Sequence, residues 1–318
     1  MTPRARIFFL VALAAVVASG VVVIGVLATR SNVPTVKPRT GTPPLAFDFG
    51  LRTDPEAKAL ERAEELYNDK HEKEAARIFA RYHSLEAEIG SAFAAWPADT
   101  LRRLQTLAAE HKRSSLVALH LGFALYWSRR DEEAVTAWRA AERLQPDTPY
   151  AVRAGDFLHP GVGPPGLPTF VPSFEPPARI RALRPPRQVA VLREAARTDG
   201  ADAKILYGVA LQSLGHPVSA EREFAAAARE SPNDAEARTA AAVGLFTKDD
   251  PAKAFSRLGP LVRVFPHAQT VRFHLGLLLI WIRELPKARE ELQKARSAGA
   301  GTPLGIRASQ LLRVLGTR

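Results

Sequence analysis

Residues 201–234 read ADAKILYGVALQSLGHPVSAEREFAAAARESPND, and this stretch decides the fold. Its apolar residues recur at helical spacing, and strand alternation is absent. Pro232 sits near its end, and Pro266 follows 34 residues later. Set in that register, residues 201–234 give Tyr207, Gly208, Leu211, Ala220, Phe224, Ala227 and Pro232. Residues 235–268 give Ala241, Ala242, Leu245, Ala254, Leu258, Leu261 and Pro266. Residues 269–302 give Leu275, Gly276, Leu279, Ala288, Leu292 and Ala295, with Ala300 in place of proline. Upstream, residues 115–148 give Leu121, Gly122, Leu125, Ala134, Trp138, Ala141 and Pro146.

A period of this length marks a stack of identical small units. The pattern resembles the tetratricopeptide repeat (TPR). In that family a large–Gly/Ala–x–x–large motif lies on helix A, and Ala, a bulky residue, Ala and Pro lie along helix B. Small residues at the eighth and twentieth positions let the two helices approach. The bulky twenty-fourth residue fills the next interface, and Pro at the thirty-second ends helix B. The usual Trp at the fourth position is absent, being Ala118, Lys204, Arg238 and Arg272 in the four windows. The resemblance implies an all-α, right-handed α-solenoid of helical hairpins acting in protein–protein contacts.

Residues 55–154 are expected to hold degenerate helical repeats around the 115–148 window. Leu66, Ala75 and Phe79 suggest half a repeat at 56–90, and Leu101, Leu104 and Leu107 an amphipathic helix over 98–111. Residues 188–318 hold the three windows of 201–302 and a closing helix after Pro303. Ile306, Leu311, Leu312 and Leu315 are predicted to cover the last repeat. Asp54-Pro55, Asp250-Pro251 and Thr302-Pro303 are helix starts with a capping residue before proline, and Asp234 is a further cap. Between the windows, residues 155–187 form an insert with nine prolines. Phe157, Leu167, Phe170, Val171 and Phe174 interrupt it. Three readings stand open: a loop packed on flanking helices, a segment lying in the concave groove of its own solenoid, or a partner motif or hinge.

The N-terminus carries a different signal. After a short tail, residues 1–6, comes an uncharged stretch of 22 residues at 7–28, IFFLVALAAVVASGVVVIGVLA. As a helix it spans about 33 Å, close to the ~30 Å of a hydrocarbon core. Its 14 Leu, Ile, Phe and Val residues favour insertion by roughly 4–8 kcal/mol. A transmembrane signal-anchor helix is expected, single-pass in an inner membrane, with the bulk of the chain outside the cytoplasm. A cleaved signal peptide is the rival. Residues 29–54 carry Pro34, Pro38, Pro43 and Pro44 and are expected to form a solvated linker.

The composition excludes several chemistries. The chain of 318 residues has no cysteine, so thiol catalysis, disulfides and thiolate metal sites are out. Lys plus Arg is 44 against 33 Asp plus Glu, a formal +11. Such a surplus bears on nonspecific attraction to anions rather than on a site. No histidine pair has metal-ligand spacing, and no phosphate-cradling or nucleophile-elbow motif occurs. The acidic pairs are sequence neighbours, which diverge around a helix. No catalytic residue, cofactor or metal is expected. His120 and His274 each precede Leu-Gly at one repeat position, which marks them as structural or groove-edge residues.

Binding is therefore the expected business of the chain. In the TPR family, helix A lines the concave face at about its second, fifth, ninth and twelfth positions. The apolar candidates this implies are Leu119, Phe123, Ile205, Val209, Val243, Phe246, Phe273, Leu277 and Ile280. An apolar groove suits an amphipathic or extended apolar peptide, so a protein partner is expected there, with the membrane engaged through 7–28. Arg179, Arg181, Arg184 and Arg187 form a basic patch with no acid from Pro176 to Leu192. No aromatic interleaves them, and nucleic acid is not the expected ligand. Two alternatives remain: a cytoplasm-facing adaptor, or a basic solenoid binding nucleic acid or an anionic wall polymer.

Overall fold

The computed structural model describes residues 40–316. The predicted tail, membrane helix and first part of the linker, residues 1–39, lie outside the described residues. Among the described residues no helix is long and apolar enough to cross a membrane, and there are sixteen helices and no strand. They fall into two compact units, one ending at Leu158 and the other beginning at His159.

The first unit holds α1 (Pro55–Asn68), α2 (Glu72–Phe79), α3 (Leu85–Ala94), α4 (Thr100–Glu110), α5 (Ser115–Trp127), α6 (Asp131–Leu144) and α7 (Pro149–Leu158). The second holds a short α8 (Ala178–Arg181) and α9 (Pro185–Thr198). They are followed by α10 (Ala201–Ser213), α11 (Pro217–Glu230), α12 (Ala235–Gly244), α13 (Pro251–Val264), α14 (Gln269–Trp281), α15 (Leu285–Ala298) and α16 (Pro303–Gly316). Helices α5, α6 and α7 recur as α14, α15 and α16, each starting 154 residues further on. The first unit is thus three hairpins and a closing helix, and the same seven-helix plan recurs in the second as α10–α16, preceded there by α8 and α9.

Capping side chains start these helices where the local sequence supplies them. Asp54 accepts the Ala57 N–H, Asp234 those of Glu236 and Ala237, and Asp250 that of Lys253. Thr302 Oγ1 accepts the Gly305 N–H at 3.1 Å. Such caps are each worth about 1 kcal/mol.

The repeat positions find their reason in packing. A Cβ on Gly122 would lie 2.3 Å from the Trp138 ring, one on Gly208 2.4 Å from Phe224, and one on Gly276 2.8 Å from Leu292. The eighth residue of helix A is therefore the seat of the twenty-fourth residue on helix B. Ala134, Ala220, Ala254 and Ala288, the twentieth residues, are fully buried.

Three expectations need correction. Residues 40–54 are not solvated linker throughout: Leu45 and Ala46 are 2% and 3% exposed. The insert begins later than 155, because α7 runs on to Leu158, and α8 and α9 occupy its end. Ile306 turns away from the core at 49% exposure, while Leu304 and Ala308 take the buried positions beside Leu315. The helical period places 304, 308 and 315 on a common face and leaves 306 on the opposite one.

Candidate functional site

Each unit has a groove, and each groove holds an extended segment of the same chain. In the first unit the segment is Pro43–Phe49. Tyr67 Oη donates to the Pro43 carbonyl at 2.8 Å. Asn68 grips Leu45 twice: its Oδ1 accepts the Leu45 N–H at 3.1 Å and its Nδ2 donates to the Leu45 carbonyl at 3.2 Å. The Ala46 N–H donates to His120 Nε2 at 3.2 Å, and the Phe47 N–H to Glu64 Oε1 at 3.0 Å. The Asp48 N–H donates to Tyr150 Oη at 3.1 Å. The main chain is read residue by residue, as a neighbouring strand would read it, although the described residues hold no sheet.

In the second unit the segment is Pro168–Phe174. The Phe170 N–H donates to Gln212 Oε1 at 2.8 Å, the Val171 N–H to His274 Nε2 at 2.9 Å, and the Ser173 N–H to Glu236 Oε1 at 2.5 Å. Phe170 stacks on the His274 ring, centroids 4.4 Å apart at 16°. Lys248 Nζ donates to the Pro164 carbonyl at 2.7 Å.

The two histidines define a common chemistry. His120 Nδ1 lies 2.8 Å from the Leu116 carbonyl and His274 Nδ1 lies 2.7 Å from that of Thr270, in each case four residues back on the helix. A carbonyl only accepts, so Nδ1 carries the proton and Nε2 is left to accept from the segment. Both rings are fully buried, and burial lowers the pKa to about 4 for His120 and about 3 for His274, favouring this neutral form. The carboxyls shift the other way. Burial raises Glu64 to about 7, and burial also raises Glu236.

Aligned on the residue that faces histidine, the segments are Pro-Pro-Leu-Ala-Phe-Asp-Phe (43–49) and Pro-Thr-Phe-Val-Pro-Ser-Phe (168–174). Their burial agrees at every position but the second, where Pro44 is half-buried and Thr169 exposed. Pro43 and Pro168 are buried, as are Leu45 with Ala46 and Phe170 with Val171. Phe47 and Pro172 are half-buried, Asp48 and Ser173 exposed, Phe49 and Phe174 half-buried. The motif is a proline, one free position, two apolar residues, one further apolar residue, a polar residue and phenylalanine.

The apolar residues predicted from the repeat lie around these segments. Leu119 and Phe123 are buried in the cluster that holds Leu45 and Ala46. Ile205, Val243 and Phe246 share a cluster with Phe170, and half-buried Val209 and Leu277 pack against it. Phe273 and Ile280 share one with Val171. Gln212 and Glu236 stand at the twelfth and second positions of their repeats, where the family's groove residues lie; repeat position missed the other gripping residues, Asn68, Glu64 and Tyr150. The recurring segment motif and the two histidines at one repeat position were the available signal.

The four arginines at 179, 181, 184 and 187 are all exposed. Arg181 pairs with Glu175 at 2.5 Å, an acid just ahead of the acid-free run. Among the described residues no group of three potential metal ligands converges.

No protein-family profile matches the chain, and no curated protein matches it either. Several solved structures resemble it. YrrB, a TPR protein with an unusual peptide-binding site, matches at 17% identity and TM-score 0.33, over 65% of this chain and 97% of that one. A tetratricopeptide repeat protein from Parabacteroides merdae matches at 12% identity and TM-score 0.36, over 82% and 99%. The TPR2AB domain of yeast Sti1, in a pHSP90 complex, matches at 13% identity and TM-score 0.31, over 82% and 98%. These are likenesses of helix arrangement. The tetratricopeptide-like character of this chain rests on its own 34-residue register and on the packing at Gly122, Gly208 and Gly276.

Proposed function

We propose that this chain is a non-catalytic protein-interaction scaffold that grips extended polypeptide in the grooves of its two units. One observation supports the reading above the rest. In both grooves polar side chains are spent on the main chain of an extended segment, while apolar walls take its side chains. That is the division of labour of peptide recognition, in which hydrogen bonds to the backbone give affinity and pockets give selectivity. In this reading residues 7–28 hold the scaffold in an inner membrane, with both units outside the cytoplasm. Its support is the uncharged stretch of 22 residues, long enough as a helix to span the hydrocarbon core.

Two experiments test it. A photo-crosslinking residue at Val209 or Leu277 is expected to trap the same partner protein from both positions, and none from exposed Arg222 on α11. Adducts confined to the chain itself would contradict the reading. A reporter active only outside the cytoplasm, fused after Arg318, is expected to be active. Activity of a cytoplasm-only reporter instead would turn the scaffold inward and leave it an adaptor.

A further inference from the structure

The two resident segments are not one accident of folding. They differ in most residues, lie in different units, and still present the same motif to equivalent histidines, with the same burial at six of the seven aligned positions. What the two grooves share is therefore a specification of their ligand. Both fix a buried proline three positions before the residue facing histidine. Both bury two adjacent apolar side chains, leave a polar one outside, and half-bury a phenylalanine three positions after.

The grip also has the character of a reversible contact. Most hydrogen bonds to the first segment come from side chains and reach only main-chain atoms. Any chain in the same extended form offers those atoms. The buried side chains of the first segment are small in number, Pro43, Leu45 and Ala46. An incoming chain with the same motif would restore the main-chain hydrogen bonds that the resident one gives up.

Resting on the scaffold reading, we infer that the resident segments hold the place of the partner. Each groove takes, from another protein, an extended segment of the form proline–x–apolar–apolar–apolar–polar–phenylalanine, and 43–49 and 168–174 are intramolecular competitors for it. Binding is then set by displacement: the partner must match the motif and outcompete a copy of it that is already tethered.

The probes are labelled synthetic peptides of residues 42–50 and 167–176, added to the full-length chain. The double variant Leu45→Glu with Ala46→Glu places two carboxylates where burial forbids them, and so ejects the first segment. It is expected to bind the 42–50 peptide at least tenfold more tightly than the native chain does. Adding His120→Ala is expected to remove most of that gain. A folded, cooperatively melting double variant that does not bind the peptide overturns the inference.

Hydrogen exchange on the unmutated chain gives a second test that needs no variant. The Leu45, Ala46, Phe170 and Val171 amides are expected to exchange through openings that leave the amides of α5 and α14 protected. Exchange of all of them only together, with global unfolding, makes the segments permanent core and overturns the inference. Release that appears only with a concentration-dependent dimer makes the occupant a second copy and also overturns it. The two readings fail separately. A partner crosslinked at Val209 that the 167–176 peptide does not compete away removes this inference and keeps the scaffold. Peptide capture by the double variant, with no partner crosslinked, does the reverse.

Discussion

The first and second units solve one problem with different side chains. Both seat an extended segment beneath a buried, neutral histidine on the third helix A. The first relies on the backbone. Asn68 takes both the N–H and the carbonyl of Leu45, and the residue facing His120 is only an alanine. The second relies more on side chains: Phe170 is 1% exposed, stacked on His274 and edge-on to Phe224. A histidine Nε2 that accepts a main-chain N–H is common to both, and the apolar filling varies within the motif. The comparison separates what a ligand must have from what tunes its fit.

The largest expected effect falls on that contrast. Phe170→Ala should cost the second unit about 3–5 kcal/mol, as for a fully buried aromatic, and Leu45→Ala should cost the first about 2–3 kcal/mol. Urea unfolding measures both. A larger loss at Leu45 would reverse the comparison.

Next comes the close approach of helices A and B. Gly122→Ala drives a methyl into the rigid Trp138 indole and should cost about 1–3 kcal/mol. Gly276→Ala meets Leu292, which has more freedom to rotate, and should cost less. Thermal melts of the two variants check the order.

Acid–base behaviour sharpens the comparison further. Glu64 is raised to about 7, so its favourable contribution is complete below about 4.5 and is lost as pH rises through 7. His120 is lowered to about 4, so its contribution is complete above about 6.5 and is lost as pH falls toward 4. Between 4.5 and 6.5 the two slopes oppose, each at most about 1.4 kcal/mol per pH unit. Glu64→Gln keeps an oxygen for the Phe47 N–H and removes the charge. Its stability should rise from pH 4.5 to 6.5 and then stay flat, where the native chain is flatter first and then declines. Denaturant titrations at four pH values separate the curves.

The smallest effect belongs to the basic patch. Arg181→Ala breaks an exposed pair with Glu175 and should change stability by less than about 0.5 kcal/mol.

The helices were legible in the sequence because each repeat position has a local cause. Gly122 has to be small because Trp138 lies over it, and Asp250 caps the helix that Pro251 begins. The grooves were legible only in part. Repeat position marked their apolar walls, such as Ile205 and Phe273, because packing keeps the helical period. It did not mark Asn68 or Glu64, whose partners lie 23 and 17 residues away along the chain. Nor did composition separate Pro43–Phe49 from a solvated linker. An extended segment buried by main-chain hydrogen bonds has no periodicity of its own, and its prolines look the same in water or in a groove. The motif becomes visible only when both units are set side by side.

Each groove is filled through a neutral histidine that accepts from the resident segment. Nitrogen chemical shifts of the two rings, assigned through His120→Gln and His274→Gln, measure it directly in the full-length chain. Both rings are expected as Nδ1–H tautomers at pH 7, with Nε2 hydrogen-bonded, and uncharged down to at least pH 5. An Nε2–H tautomer, or protonation of either ring near pH 6.5, would show the acceptor facing water and the groove without its segment.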